Sequence, residues 1–376
     1  MAVALHAGIA QDPMGPIASA PLTPLATVND DLLNAVTCFL SIEDVLAAAK
    51  TSRAMHRSIL EHTTYWRDLE LEFATSELLL ELLPFTAALR RLRFHKSSAS
   101  TEVWLSLAER TSGLTVLDVS GSKYVTDDVF RLFCSRNRAT LQHIAADNCS
   151  WISSLAPLAP FAGQLRSLSF NRCRQLVTND VLAIATEAPL LEVLELKGNP
   201  KVNPSPVITT TLAACPRLTV LTLGGSGRFT KDINHEFIGA FEKRNQALAL
   251  ECLDLSCSNP FGSRSPLADD GLLALLNLCP QLQALYLKGQ SNLSSALLSN
   301  LPSGLRRLDV TGCSLLTTNL AALAQLPLLE ELVLYACDNV TDDDLRRLRE
   351  SNARLVKVDV EGCTAVTDAA RDLFHL

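Results

Sequence analysis

The 376-residue chain has a net charge of −7 and a pI near 5.6, so it offers no broad basic field to a nucleic acid or an anionic membrane. Its residues are 48% hydrophobic but only 5% aromatic, the composition of a core filled by many small aliphatic side chains. The apolar run from Leu78 to Phe85 is interrupted by Glu81 and Pro84, far short of the roughly 18 residues a membrane span needs. Eleven cysteines, an odd number with no secretory signal ahead of them, are expected to be reduced thiols in the cytosol or nucleus.

Residues 1–24 hold four prolines, no lysine or arginine and no apolar periodicity, which predicts a disordered arm and not a basic transit peptide. From Asp30 and Asp31 the sequence turns helical, with Leu32, Leu33, Val36, Phe39 and Leu40 on one apolar face. Glu43-Asp44-Val45-Leu46, then Ser52-Arg53, then Trp66 and Leu69 come next. This order resembles an F-box over 25–70, departing from that family where its opening Leu-Pro is Val28-Asn29 and where an aromatic residue is His56. The resemblance implies a small all-α domain that binds a Skp-type adaptor, and through it a cullin, by Leu32, Leu33, Val36, Phe39, Leu40, Asp44 and Val45. The residues alone also fit a helical cap, Asn34 to Leu60, over the open end of a repeat core. Residues 71–88 form a linking segment between this domain and a repeat region, and Arg67 to Phe73 reads as a linking strand.

From Leu89 onward the pattern Leu-x-x-Leu-x-Leu recurs. Eleven starts fall at Leu89, Leu114, Leu141, Leu165, Leu191, Leu218, Leu250, Leu282, Leu305, Leu329 and Leu355, at spacings of 25, 27, 24, 26, 27, 32, 32, 23, 24 and 26. Alternation such as Leu117-Asp118-Val119 has the period of a strand with one buried face. Eight residues after the start stands a small polar residue: Cys149, Cys173, Cys313, Cys337 and Cys363 in five units, Ser122, Asn199, Ser226, Ser258 or Gln290 in others. Val-Thr-Asp or Val-Thr-Asn, as at Val125-Thr126-Asp127 and Val340-Thr341-Asp342, then predicts a helix N-cap, and aliphatics at helical spacing come after it. Each unit is therefore read as strand, turn and helix.

The repeats resemble the cysteine-containing subclass of leucine-rich repeats, including its Cys-Pro-x-Leu entry at Cys215-Pro216-Arg217-Leu218 and Cys279-Pro280-Gln281-Leu282. That resemblance implies an α/β solenoid over 89–376, a horseshoe with a concave parallel sheet and outer helices.

No motif for catalysis, metal or phosphate binding is present: there is no Cys-x-x-Cys, no His-Glu-x-x-His and no phosphate loop. Gly224-Gly225-Ser226-Gly227 lacks the Lys-Ser or Lys-Thr of a phosphate cradle and reads as a repeat turn. The in-register cysteines read as buried packing residues. No enzyme, cofactor or metal is expected.

Asp118, Glu195, Asp254, Asp309 and Asp359 share one strand position and are expected on the concave face, either solvated or forming an acidic track for a partner. Tyr286 and Tyr335 are expected interface anchors, with Lys197, Lys288 and Arg307 beside them. The two 32-residue units carry insertions, Ser226 to Lys231 and Ser258 to Arg264, expected to expose Arg228, Phe229, Phe261 and Arg264. The resulting expectation is the target-recognition subunit of an SCF-type ubiquitin ligase, binding an unidentified protein and neither nucleic acid nor membrane. The alternative is a protein-interaction scaffold without ligase function. A repeat protein regulating a small GTPase shares the architecture only, since no matching catalytic loop is present.

Overall fold

The computed structural model describes residues 40–51, 56, 59, 65–257 and 265–374. Expectations for the arm at 1–24, for Leu32, Leu33, Val36 and Phe39, and for the loop holding Phe261 and Arg264 lie outside these residues. The chain divides into two compact units, Met1–Tyr65 and Trp66–Leu376.

In the first unit, helix α1 spans Ile42–Thr51. Ser41 starts it: its hydroxyl accepts the Asp44 N–H at 3.1 Å and donates to the Asp44 carboxylate at 2.9 Å. Glu43 and Asp44 sit at the positive end of the helix and Lys50 in its last turn, while Val45, Leu46 and Ala49 are buried.

The second unit is built on one open sheet of twelve parallel strands in sequential order. They are β1 Asp68–Glu72, β2 Arg91–His95, β3 Val116–Asp118, β4 His143–Ala145, β5 Ser167–Ser169, β6 Val193–Glu195, β7 Val220–Thr222, β8 Cys252–Asp254, β9 Ala284–Tyr286, β10 Arg307–Asp309, β11 Glu331–Val333 and β12 Lys357–Asp359. Strands β2 to β12 follow the eleven repeat starts. Strand β1 precedes them, with buried Trp66 in the start position, stacked on Phe85 at 4.4 Å. Leu69, assigned by the F-box resemblance to the close of the helical domain, pairs in register with Leu92 and lies in this sheet.

Register explains the pattern. Leu92, Leu117, Ile144, Leu168 and Leu194 are Cα partners in turn along the sheet and are buried, so the middle leucine of each unit stacks on the next. Burying each such side chain is worth about 1.5–3 kcal/mol. Residues on either side point to the other sheet face.

Most units return through an α-helix, such as α2 Ser76–Leu82, α3 Thr101–Arg110, α4 Asp127–Asn137, α5 Thr178–Ala185, α6 Pro204–Ala214, α7 Ile233–Phe241, α8 Asp269–Leu276 and α9 Asp342–Ser351, with α10 Asp368–Arg371 at the end. Three units return by 3₁₀ turns instead, at Ala156–Gln164, Ser295–Asn300 and Leu316–Gln325. This corrects the expectation of a helix in every unit. They are the units with the shortest start spacings, 24, 23 and 24. A 3₁₀ turn rises about 2.0 Å per residue against about 1.5 Å for an α-helix, so fewer residues cover the return.

The small polar position has a definite role. The thiols of Cys149, Cys173, Cys313, Cys337 and Cys363 donate to the carbonyls of Val119, Ala146, Leu287, Val310 and Leu334 at 3.0–3.4 Å, each in the preceding unit. Ser122, Asn199, Ser226 and Gln290 donate likewise to Phe94, Phe170, Leu196 and Leu255. What these side chains share is a donor that supplies a carbonyl of the preceding unit with a hydrogen bond, the second one for the five carbonyls that the cysteines reach. Burial pushes the thiols of Cys149, Cys173 and Cys313 up to about 12 and that of Cys337 up to about 11.

The Thr-Asp pairs cap helices and also join units. Thr126 accepts from the Val129 N–H, and Thr341 forms a reciprocal capping box with Asp344. The acid after the threonine reaches forward: Asp342 accepts the N–H and hydroxyl of Thr367 at 2.8 and 2.7 Å, and Asp127 does the same for Ser153 at 2.8 and 2.5 Å.

Candidate functional site

The solvent face of the sheet carries three aligned rows of side chains, one from each alternate strand position. The row that the sequence marks as a candidate acidic track lies on this face and also has a local structural role. Asp118, Asp254, Asp309 and Asp359 each accept the backbone N–H two residues on, from Ser120, Ser256, Thr311 and Glu361, at 2.9–3.0 Å. A short carboxylate there closes the end of its own strand, which explains why aspartate recurs. Glu195, one methylene longer and half-buried, is in the same row, beside Thr222.

The centre of the face is a polar cluster. Asp147 on β4's turn accepts from the Ser169 hydroxyl at 2.7 Å and from the backbone and side-chain nitrogens of Asn171 at 2.8 and 3.0 Å. Asn171 in turn accepts the Lys197 N–H at 2.7 Å. The Lys197 Nζ crosses β7 to the Asp254 carboxylate at 3.1 Å and stands 5.5 Å from the centre of the Tyr286 ring. Asp254 is only 5% exposed. Partial burial acts to lower the Lys197 pKa, but the charge and hydrogen bond of Asp254, with Cys252 and Tyr286 acting in the same direction, together hold the ammonium above its ordinary value. Gly224 makes the crossing possible, because a Cβ there would lie 2.5 Å from the Asp254 Oδ2.

Among the expected target-binding residues, the structure thus brings together Lys197 and Tyr286, with Asp309 next to Tyr286 in register. Lys288 is half-buried one row further on. Arg307 belongs to a separate ladder: Glu331 takes Arg307 at 3.4 Å and Lys357 at 2.5 Å. Tyr335 is exposed at the turn after β11. In the first stretched unit Arg228 is exposed, but Phe229 is half-buried, correcting the expectation that both project. Of the adaptor residues described, Leu40 and Asp44 are exposed and Val45 is fully buried.

Asp147, Ser169 and Asn171 do not stand out in the sequence, although their recurrence one or three residues past the middle leucine is the available signal. Among the described residues no group of three or more His, Cys, Asp or Glu side chains is placed to hold a metal, and the ten described cysteines are free thiols. No described helix is long and apolar enough to cross a membrane.

No family model matches the sequence, and neither does any curated protein. Among solved structures, a chain in the crystal structure of the Rad7 and Elc1 complex in yeast is similar with a TM-score of 0.63 at 18% identity. The match covers 91% of this chain and 88% of that one. An internalin (inlF) from Listeria monocytogenes is similar with a TM-score of 0.52 at 14% identity, over 89% of this chain and 92% of that one. The fold is a leucine-rich-repeat solenoid. At these identities the likeness concerns the fold alone, and the polar cluster around Lys197 is argued from this chain's own residues.

Proposed function

We propose that this chain is a non-catalytic target-recognition subunit of an SCF-type ubiquitin ligase, joined to a Skp-type adaptor and cullin by its N-terminal helical unit and to a target protein by the solenoid. The observation that carries the recognition role is the solvent face of the sheet, where Tyr286, Lys197 and the Arg307–Glu331–Lys357 ladder present an aromatic anchor among fixed charges. A helical unit preceding the solenoid, with Leu40 exposed beside the Ser41–Asp44 cap, supports the adaptor role. The yeast neighbour was crystallised in a complex of two proteins, which agrees with a partner-binding use of this fold. Such a receptor acts by raising the effective concentration of target near a ubiquitin-charged enzyme.

The burial of Val45 favours a second reading, a scaffold whose N-terminal helix packs for its own stability. Pull-down of the purified full chain with a Skp adaptor and cullin separates the two. Binding that is lost in a Phe39→Ala, Leu40→Ala variant of unchanged circular dichroism supports the ligase reading, and no binding by the intact chain leaves the scaffold.

A further inference from the structure

The turns that follow the strands carry a second surface, distinct from the sheet face. In these turns, apart from the one after β8, one residue takes a left-handed conformation. In the C-terminal half it is Gly289, Gly312, Ala336 or Gly362; in the N-terminal half it is Gly121, Gly198 or Gly225 in three turns, but Phe73, Lys96, Asn148 and Arg172 occupy it at φ of 52–61° in the other four. A side chain in this region costs about 1–2 kcal/mol relative to the right-handed one. Phe73 is 61% exposed, and the contact its ring makes with a cation is to the Lys96 ammonium, 5.1 Å from its centre.

These positions are neighbours in space. The Gly121, Asn148 and Arg172 N–H groups donate to the Asp147, Asn171 and Lys197 carbonyls of the next unit at 2.6–2.7 Å. The side chains lean along the rim: a Cβ on Gly121 would meet the Lys96 Cγ at 3.0 Å, and one on Gly198 the Arg172 Cγ at 3.1 Å. Three residues further in the same turns stand Tyr124 and Trp151, 39% and 63% exposed, then Lys201 and Arg228. Lys123 and Arg174 sit one residue before that position.

The acids near this stretch already have partners. Glu72 binds Lys96 at 2.7 Å, and Asp147 is taken by Ser169 and Asn171. Behind the rim Asp127 holds Ser153, Asp128 holds Arg131 and Asp180 holds Ser154. Among the described residues Lys123, Arg172, Arg174 and Arg228 have no carboxylate within ion-pair distance. Among the described residues, the corresponding turns of the C-terminal half bring Asp338, Glu361 and one half-buried cation, Lys288. A chain of net charge −7 therefore gathers cations without a carboxylate partner, and three exposed aromatic rings, on one half of one edge.

We propose that this rim, from β1 to β7, binds an extended acidic segment of a partner protein in which carboxylates alternate with apolar side chains. Carboxylates meet Lys123, Arg172 and Arg174, and the apolar side chains rest on Phe73, Tyr124 and Trp151. Six strand spacings of about 4.8 Å give a track of roughly 29 Å, which about nine extended residues cover. The alternation favours a peptide over a polynucleotide, whose uniform phosphates would also face Asp127, Asp128 and Asp180 and the net negative field. The assignment does not depend on the adaptor role of the N-terminal unit.

The test is fluorescence anisotropy of the full chain with three labelled probes: a peptide alternating aspartate with phenylalanine and leucine, its lysine counterpart, and an oligothymidylate. The aspartate peptide is expected to bind, more weakly as salt rises, and to lose about tenfold or more in affinity in an Arg172→Glu, Arg174→Glu variant. Trp151→Ala is expected to weaken it severalfold at any salt concentration, and Arg347→Glu, on the exposed face of α9 far from the rim, to leave it unchanged. Absence of binding, tighter binding of the oligothymidylate, or an equal loss in Arg347→Glu overturns the proposal. Because it needs no adaptor, a failed adaptor pull-down leaves this result standing, and the reverse also holds.

Discussion

Lys197 and Asp254 meet at 3.1 Å across an intervening strand, over the bare α-carbon of Gly224. The pair is asymmetric: the lysine side chain is 44% exposed and the aspartate 6%. Removing the lysine leaves a nearly buried carboxylate with the Ser256 N–H as its remaining partner, whereas removing the aspartate frees an ammonium that water can reach. Lys197→Ala is expected to cost about 1–3 kcal/mol in urea unfolding and Asp254→Ser less. Gly224→Ala pushes the carboxylate off the lysine, so combining it with Lys197→Ala should give less than the sum of the two losses. Additive losses would show that the glycine matters for another reason.

Cys313 tests the meaning of the repeat cysteine. Cys313→Ser keeps a donor to the Leu287 carbonyl, as Ser122 and Ser226 do in their own units, and is expected to stay within about 1 kcal/mol of the native protein. Cys313→Val keeps apolar volume without the donor and should lose more. If valine proves equal to serine, packing alone explains the cysteine.

Alkaline stability depends on the same thiols. Burial raises their folded-state pKa from about 9 to about 11–12, so the thiol form is favoured in the fold while the unfolded chain ionises first. Their contribution is complete below pH 9 and is lost as pH climbs toward 11–12, at no more than about 1.4 kcal/mol per pH unit for each thiol. Urea midpoints measured from pH 8 to pH 11 should fall, and should fall less steeply in a Cys149→Ser, Cys313→Ser variant. Native thiols should also resist alkylation at pH 8.

Asp342 gives the opposite dependence. The Thr367 backbone N–H, and after it the Thr367 hydroxyl, hold its carboxyl below the usual carboxylate range. This contribution is present above the unfolded-state pKa and disappears as pH falls through the lower folded one. Asp342→Ala is expected to lower the protection factor of the Thr367 amide near neutral pH, toward the protection factor the native chain shows once Asp342 is protonated in acid. An unchanged protection factor would remove Asp342 as the clasp between the last two units.

The repeat starts, the strand positions and the buried face are all legible in the sequence, because a period of two inside a period near 26 has few other physical solutions. Even the 3₁₀ units are marked by their shorter spacing, and Pro157 and Pro160 reinforce this in the first of them. Strand β1 is harder to read because Trp66 takes the place of the opening leucine. The Lys197–Asp254 pair is invisible to local spacing: two units separate its members, one of them stretched, and only the register of β6, β7 and β8 aligns them. The strand-closing role of the aspartate row is hidden for a related reason, since the sequence shows a charge but not the backbone N–H that it holds.

The side-chain donors at the turns all point one way, from a unit to the carbonyl of its predecessor. The carbonyls of Val119, Ala146, Leu287, Val310 and Leu334 each take an N–H from their own turn and wait for the next unit to supply the second bond, as Val310 does from Cys313 and then Cys337. The solenoid therefore has a direction of assembly. During synthesis a unit is sealed only when its successor has left the ribosome, and a stop codon between units would leave the last one unsealed.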